Sequence, residues 1–449
     1  MNKRLLILLG LVLSLLLVLA ACGPDRDDDS ESDDENDTEE TEQDTEGDEE
    51  DSEEASSDGD SNEITAEKPE TLTLWADEDK AVGIEDILDR FTEEHGIEIE
   101  VTELEMATVQ REQIRLDGPA GTGPDVLTLP HDQIGQLANE GIISSLDLDE
   151  ETISLYTDSA VEAVTYEGEL YGVPKATETP IFMFNRDLMD EAPETFDELW
   201  EMSQEMQEED QYGFLALFDN YYFAHSILAG HGGYVFEEQD GTMDPTALGL
   251  NNEGAIEGGE YIQQWYTEGL FPEGIIGEQG GSTMTGLFED GEVASAMDGP
   301  WAVQGLRDAG IDFGAAPMPT LPNGEYPQTF VGVKSWNVSS YSEHQEWATE
   351  LVRYLGNEEN SLERYEIVGE IPPVASLIDD PAISEDEVSE AVAIQSERGV
   401  PMPNIPEMGQ VWEPMATALQ LIVRDEMTPE DALNEAVDTI QTNIESNQE

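Results

Sequence analysis

Thr71-Leu72-Thr73-Leu74-Trp75 alternates polar and apolar residues, the two-residue period of a β-strand. Ile84, Ile87, Leu88 and Phe91 then recur at helical spacing, and Gly96 stands where a helix end favours a left-handed residue. Ile97, Ile99 and Val101 alternate again, and a polar helix runs through Arg115. Gly123-Pro124-Asp125 introduces the short apolar strand Val126-Leu127-Thr128-Leu129, and the helix after it ends at Gly141. Strand, helix, strand, helix, strand predicts βαβ units and a mainly parallel sheet in the first lobe of an α/β protein.

Toward the C-terminus the same grammar continues. Tyr171-Gly172-Val173-Pro174 reads as a crossing segment and 181–184 as an apolar strand. Thr195 and Glu198 are spaced as a capping box before a helix carrying Leu199, Met202 and Met206. Tyr261, Ile262 and Trp265 share another helical face, and 293–297 reads as a strand leading to Gly299-Pro300-Trp301. Ser342-Glu343-His344-Gln345 has the form of a second capping box, before Trp347, Leu351 and Leu355. Two closing helices carry Met415, Leu419 and Ile422, then Leu433, Ala436, Val437 and Ile440, the last opened by Thr428-Pro429 as N-cap and N1.

Toward the N-terminus, Lys3 and Arg4 precede an uncharged run over 5–21 that is apolar but for Ser14, and Ala20-Ala21 leads into Cys22, the chain's single cysteine. A basic start, a short apolar run and small residues before a cut describe a secretory signal. A membrane-spanning helix is the competing reading; it needs about 20 apolar residues and a charged stop that is missing here. A lone thiol forms no intrachain disulfide and no thiolate zinc cluster. Residues 25–63 hold 23 acids, one base (Arg26) and no aromatic. Such a segment buries too little apolar area to offset its ordering entropy, which predicts a disordered tether.

The whole chain of 449 residues carries 105 Asp and Glu against 16 Lys and Arg, a formal net charge of -89. From Ile64 onward 82 acids still face 13 bases, so the folded part is itself acidic. Nucleic acid is thereby excluded as a partner, because phosphate binding needs a basic footprint. The acidity fits a high-salt exterior, where repulsion is screened, or an alkaline one. The length suits two domains or one bilobal unit.

Motifs of catalysis are missing. Gly230-His231-Gly232-Gly233 lacks the strand-to-helix context of a phosphate loop and reads as a turn. The five histidines, His95, His131, His225, His231 and His344, have no metal spacing. Carboxylates are too abundant for a glycosidase pair to be singled out by count. No enzyme, cofactor or metal is expected.

Taken together in order and spacing, several elements resemble one family. They are Gly123-Pro124-Asp125, His131-Asp132, 170–174, Phe184-Asn185-Arg186-Asp187-Leu188, Gly232-Gly233-Tyr234, Gly299-Pro300-Trp301, and 402–408 followed by Trp412. They resemble the extracellular solute-binding proteins of ABC sugar importers, nearest the maltose/maltodextrin-binding class. The resemblance implies a bilobal periplasmic-binding-protein-like fold (type II), two α/β lobes joined by hinge crossovers around a central ligand cleft. It also implies a domain order: signal peptide 1–21, lipidated Cys22 and acidic linker 22–68, first lobe 69–178 and 336–380, second lobe 179–335 and 381–449. The implied protein is a monomer held by its lipid on the extracellular face of the cell membrane. It closes around maltose or a maltodextrin and delivers it to the permease subunits. Cyclodextrin or another oligosaccharide is the alternative cargo. A surface glycoside hydrolase using Asp132 and Glu178, or an adhesion lipoprotein, is the alternative class.

A sugar ring has apolar C–H faces and a rim of hydroxyls, so it calls for aromatics beneath and polar groups around. By resemblance, Tyr222, Trp301 and Trp412 stack on rings, Asp79, Lys80, Asp132 and Glu178 bond hydroxyls, and Met402 packs at the cleft wall. Without the resemblance, Trp301 and Trp412 read as core aromatics and the acids as surface charge. Lys80 is more telling, because bases are so few. Four positions depart from the family pattern: Leu129 and Glu413 replace aromatics, Gln133 replaces a base, and Asn220 replaces a carboxylate. Trp336, beside a returning hinge segment, is a candidate replacement for the lost stacking face, with core packing the equal alternative.

Overall fold

Leu72, Leu74 and Ala76 leave one face of β1 (Thr71–Ala76), Trp75 leaves the other, and each side enters its own hydrophobic core. This is the pattern of a sheet covered on both faces. Helix α1 (Glu85–His95) buries Ile87, Leu88 and Phe91 and stops at Gly96, whose φ of 65° costs glycine nothing sterically. Strand β2 (Glu98–Glu103), helix α2 (Arg111–Ala120) and β3 (Val126–Pro130) complete two βαβ units, and β1 pairs in parallel with both neighbours. Val126 joins the core of Leu72 and Leu74, while Leu127 and Leu129 join that of Trp75.

β4 (Val173–Glu178) then carries the chain to β5 (Ile181–Asn185), the centre of a second, smaller sheet. Helix α3 (Tyr221–Gly230) is buried along most of its length. Strands β6 (Ser295–Asp298) and β7 (Phe313–Ala316) flank β5, both antiparallel to it. The chain returns on β8 (Phe330–Val338), which runs antiparallel to β3 and to β4 and takes β9 (Val400–Pro401) as a parallel neighbour. The larger sheet has the order β9-β8-β3-β1-β2, with β4 also on β8, so three of its five pairings are parallel. β8 passes through the expected crossing at 335/336 as one continuous strand.

Helices α4 (Gln345–Gly356) and α5 (Glu358–Val368) cover the core beneath Leu72. Helices α6 (Glu387–Arg398), α7 (Trp412–Val423) and α8 (Pro429–Asn447) pack into the core of the second sheet. The Thr195–Glu198 box forms reciprocally: the Glu198 N–H donates to the Thr195 hydroxyl at 3.2 Å, and the Thr195 N–H donates to the Glu198 carboxylate at 3.4 Å. Thr428 accepts from the Asp431 N–H, as expected of an N-cap. The second box does not form. Ser342 Oγ accepts from His344 N–H and donates to Asp125 at 2.5 Å, so α4 starts only at Gln345, without that cap.

This computed structural model describes residues 64–207, 211–239, 242–277 and 279–447. The expected signal peptide, Cys22 and nearly all of the acidic linker lie outside the described residues. No described helix is long and apolar enough to cross a membrane.

Candidate functional site

All eight residues singled out from the sequence line one cavity of about 1760 Å³. Asp79, Lys80, Asp132 and Glu178 come from the larger sheet's side, at the ends of β1, β3 and β4. Tyr222, Trp301, Met402 and Trp412 pack against the second core. Asp79 sits in the turn after β1 with φ of 60°, a left-handed conformation that Asp tolerates better than most residues. That turn closes with the Lys80 N–H on the Asp77 carbonyl. Lys80 is buried, and its ammonium donates to the Trp301 carbonyl at 3.1 Å, reaching from one wall to the other.

Asp132 occupies a single turn after β3, and the Trp412 indole N–H donates to its Oδ2 at 3.1 Å. Burial pushes the Asp132 carboxyl up to about 7, against the Trp412 bond and the positive charge of Arg111. Both cleft tryptophans are thus tied to the opposite wall.

The aromatic wall is built from local signals. Asn220 caps α3 and accepts the Tyr222 N–H at 3.0 Å, which sets Tyr222 on the first turn. So the replaced carboxylate has become a positioning cap. The Tyr222 ring lies 6.0 Å from that of Trp301 at 60°, and 6.3 Å from Phe330, nearly parallel. Phe330 also lies 5.9 Å from Trp412. The Tyr222 hydroxyl is buried without a hydrogen-bond partner, near the carboxylates of Glu178, Asp132 and Asp298. An aromatic wall facing carboxylates and ammonium groups can hold a polyhydroxylated ligand with apolar faces. No cluster of His, Cys, Asp and Glu able to hold a metal occurs among the described residues.

The family model for bacterial extracellular solute-binding proteins matches residues 86–391. This chain belongs to that family. It is 43% identical over 389 residues to a galactooligosaccharide-binding protein of Bacillus subtilis, a match covering 86% of this chain and 92% of the relative. Identity to a maltooligosaccharide ABC transporter solute-binding lipoprotein of Streptococcus pneumoniae is 31% over 401 residues, 85% of this chain and 92% of that one. Among solved structures, a cyclo/maltodextrin-binding protein complexed with maltotetraose is similar with a TM-score of 0.71 at 39% identity, covering 85% of this chain and 99% of that one. The solute-binding protein therefore has the bilobal α/β architecture of its family.

Two cleft residues of this solute-binding protein, Asp298 and Lys334, escaped sequence reasoning, as did the bridging role of His131 behind the cleft. Asp298 ends β6 just before Gly299-Pro300-Trp301 and lines the cavity. Its Oδ1 accepts the Gly299 N–H at 2.9 Å, and burial pushes it up to about 6, against that bond and the lowering influence of the Trp301 side chain. A carboxylate closing an apolar strand, directly before Gly299-Pro300-Trp301, was the available signal. Lys334 is buried within β8 and lines the cavity. Its Nζ lies 2.8 Å from Glu178, 3.6 Å from Glu370 and 3.8 Å from Asp77. Burial opposes its charge, but these three carboxylates more than offset this and hold its pKa well above the usual lysine value. Glu178 is raised by burial, with Lys334 the principal opposing influence. The scarcity of bases that marked Lys80 marks Lys334 equally.

His131 forms its bridge behind the cleft. Its Nδ1 accepts the Val333 N–H at 3.0 Å, so the proton sits on Nε2, which faces the Met402 carbonyl at 3.0 Å. Burial pushes it down to about 4, and the neutral ring joins β3, β8 and the Met402 segment.

The other departures resolve differently. Gln133 is buried and donates to the Ala107 carbonyl at 2.5 Å, Glu413 lines the cleft, and Leu129 is wholly in the core of Trp75. Trp336 does not replace the lost aromatic. It is 1% exposed, in the core with Leu351 and Leu355, and Lys175 Nζ lies 5.0 Å from its ring centroid. Farther along β8 than Lys334, it lies against α4 rather than the cleft.

Proposed function

We propose that this chain is the substrate-binding component of an ABC importer, taking a neutral oligosaccharide between its charged and aromatic walls without turning it over. The observation that carries this is the single cavity lined by Trp301, Trp412 and Tyr222 on one side and Asp79, Lys80, Asp132 and Glu178 on the other. Met402 packs at its wall. The lobes divide at 178/179, 335/336 and 380/381, and closure follows from the ligand's greater affinity for the closed arrangement. Cys22 carries the lipid that holds the monomer on the extracellular face of the membrane, a role supported by the lipoprotein relative.

Malto-oligosaccharides are the first cargo, supported by the structural neighbour holding maltotetraose and by the maltooligosaccharide relative. Galacto-oligosaccharides are the second, favoured by 43% against 31% identity. The test is calorimetry with maltotetraose, a cyclodextrin and a galacto-tetrasaccharide, followed by chromatography of each sugar after prolonged incubation. Saturable binding with every sugar recovered intact is expected. Cleavage of a bound sugar would replace this reading with a surface glycosidase acting through Asp132 and Glu178.

A further inference from the structure

β4, β8 and the segment after α5 each send a charge into one buried cluster. Lys175 of β4 places its Nζ 2.6 Å from both carboxylate oxygens of Glu370. Arg364 of α5 stands 3.4 Å from the same carboxylate and donates to the Lys175 carbonyl at 2.6 Å. Lys334 of β8 completes the set between Glu370, Asp77 and Glu178. Three cations thus face three carboxylates. The cations and Glu370 are at most 4% exposed, whereas Glu178 and Asp77 reach the cleft at 12% and 16%.

This cluster is costly to keep for stability alone. Buried ion pairs gain little over well-packed apolar side chains, because desolvation offsets their attraction. Nor is it solubilising charge: three of the 13 bases after Ile64 are spent where water does not reach. Its gradient of exposure runs from Glu370, sealed behind, to Glu178 at the cleft floor, and Lys334 stands between them.

We infer that Lys334 is a positioning residue for ligand recognition: anchored from behind by Glu370, its ammonium fixes the Glu178 carboxylate at the cleft floor as an ionised acceptor for a sugar hydroxyl. The inference rests on the oligosaccharide reading above. A hydroxyl bound to a carboxylate makes a charge-assisted bond about twice as strong as a neutral one. Keeping that carboxylate ionised is hard here. Asp77 and Glu370 face Glu178 with negative charge, the Asp132 carboxyl and the neutral Tyr222 hydroxyl lie nearby, and burial opposes its charge. Lys334 is the cation in contact with Glu178, and Lys175 and Arg364 neutralise Glu370 from the far side.

The test uses the full chain and whichever of maltotetraose or a galacto-tetrasaccharide the wild type binds. Lys334→Met should weaken binding at neutral pH about tenfold or more, and the loss should shrink as pH rises and Glu178 ionises unaided. Lys334→Arg should bind within about threefold of wild type, as should Lys334→Met/Glu178→Gln compared with Glu178→Gln alone. Wild-type affinity in Lys334→Met, or a loss equal at every pH and additive with Glu178→Gln, would overturn the inference. If Lys334→Met does not fold, the double variant, which removes one charge of each sign, still decides: binding far weaker than Glu178→Gln alone overturns it. A wild type that binds neither sugar is a failure of the oligosaccharide reading, visible before any variant is made. A carboxyl ¹³C titration then tests Lys334 directly, and a Glu178 that ionises at the same pH in wild type and Lys334→Met overturns its role.

Discussion

The two walls of the cleft are made of different chemistry by different means. On the charged wall, the turn after β1 supplies Asp79 and Lys80 and the turn after β3 supplies Asp132. These are the carboxyl ends of parallel strands, where open α/β sheets expose their loops to ligands. On the aromatic wall, Tyr222 opens a helix, Trp301 follows a strand, and Trp412 begins α7. Charged groups act through directed bonds that must be placed and kept ionised. Rings act through area, which tolerates small shifts. On the charged wall Glu178 accordingly rests on a buried ion cluster, and the aromatic wall rests on hydrophobic core.

The largest expected effect falls on the aromatic wall. Trp301→Ala and Trp412→Ala should each weaken oligosaccharide binding by about 2–3 kcal/mol, through lost burial and stacking. The double variant should leave no measurable binding by calorimetry. Losses confined to one tryptophan would mean that the rings do not form a common wall.

The seam between the walls is tested through His131. Its pKa lies near 4 when folded, against an ordinary 6.5, so unfolding takes up a proton between these values. The stability it contributes is present above about pH 6.5 and is lost as pH falls through about 4, an amount near 3 kcal/mol. Urea denaturation should therefore show His131→Gln most destabilised relative to wild type near neutrality, the gap narrowing by that amount at acid pH. Asp132 and Asp298 act with the opposite sign, losing stability as pH rises toward their raised values. Comparing the two proteins at each pH cancels them. A gap that does not vary with pH would contradict a neutral, buried His131.

The smallest effect separates area from direction at one residue. Trp412→Phe keeps an aromatic face and loses the N–H that Asp132 accepts. Affinity should fall by about 1 kcal/mol, much less than for Trp412→Ala. Equal losses in the two variants, read by calorimetry, would show that the bond and not the face carries Trp412.

The fold was legible because its periods are clean: Thr71 to Trp75 and Val126 to Leu129 alternate onto two cores as written. The aromatic wall was legible through motif, and Lys80 through scarcity. The ion cluster was not, since Lys175, Lys334 and Glu370 lie far apart in sequence and each alone reads as surface charge. Trp336 shows the converse error, where closeness to a hinge segment in sequence says nothing about which way a side chain faces. Ser342 shows how a local signal loses to a distant partner, Asp125, that no spacing reveals.

The most direct measurement is tryptophan fluorescence of the full chain titrated with maltotetraose and with a galacto-tetrasaccharide, in wild type and in Trp301→Ala/Trp412→Ala. A neutral oligosaccharide held between the two walls predicts saturable quenching by at least one sugar in wild type and none in the variant. No response to either sugar at millimolar concentration, or calorimetric binding that survives the loss of both tryptophans, would contradict it.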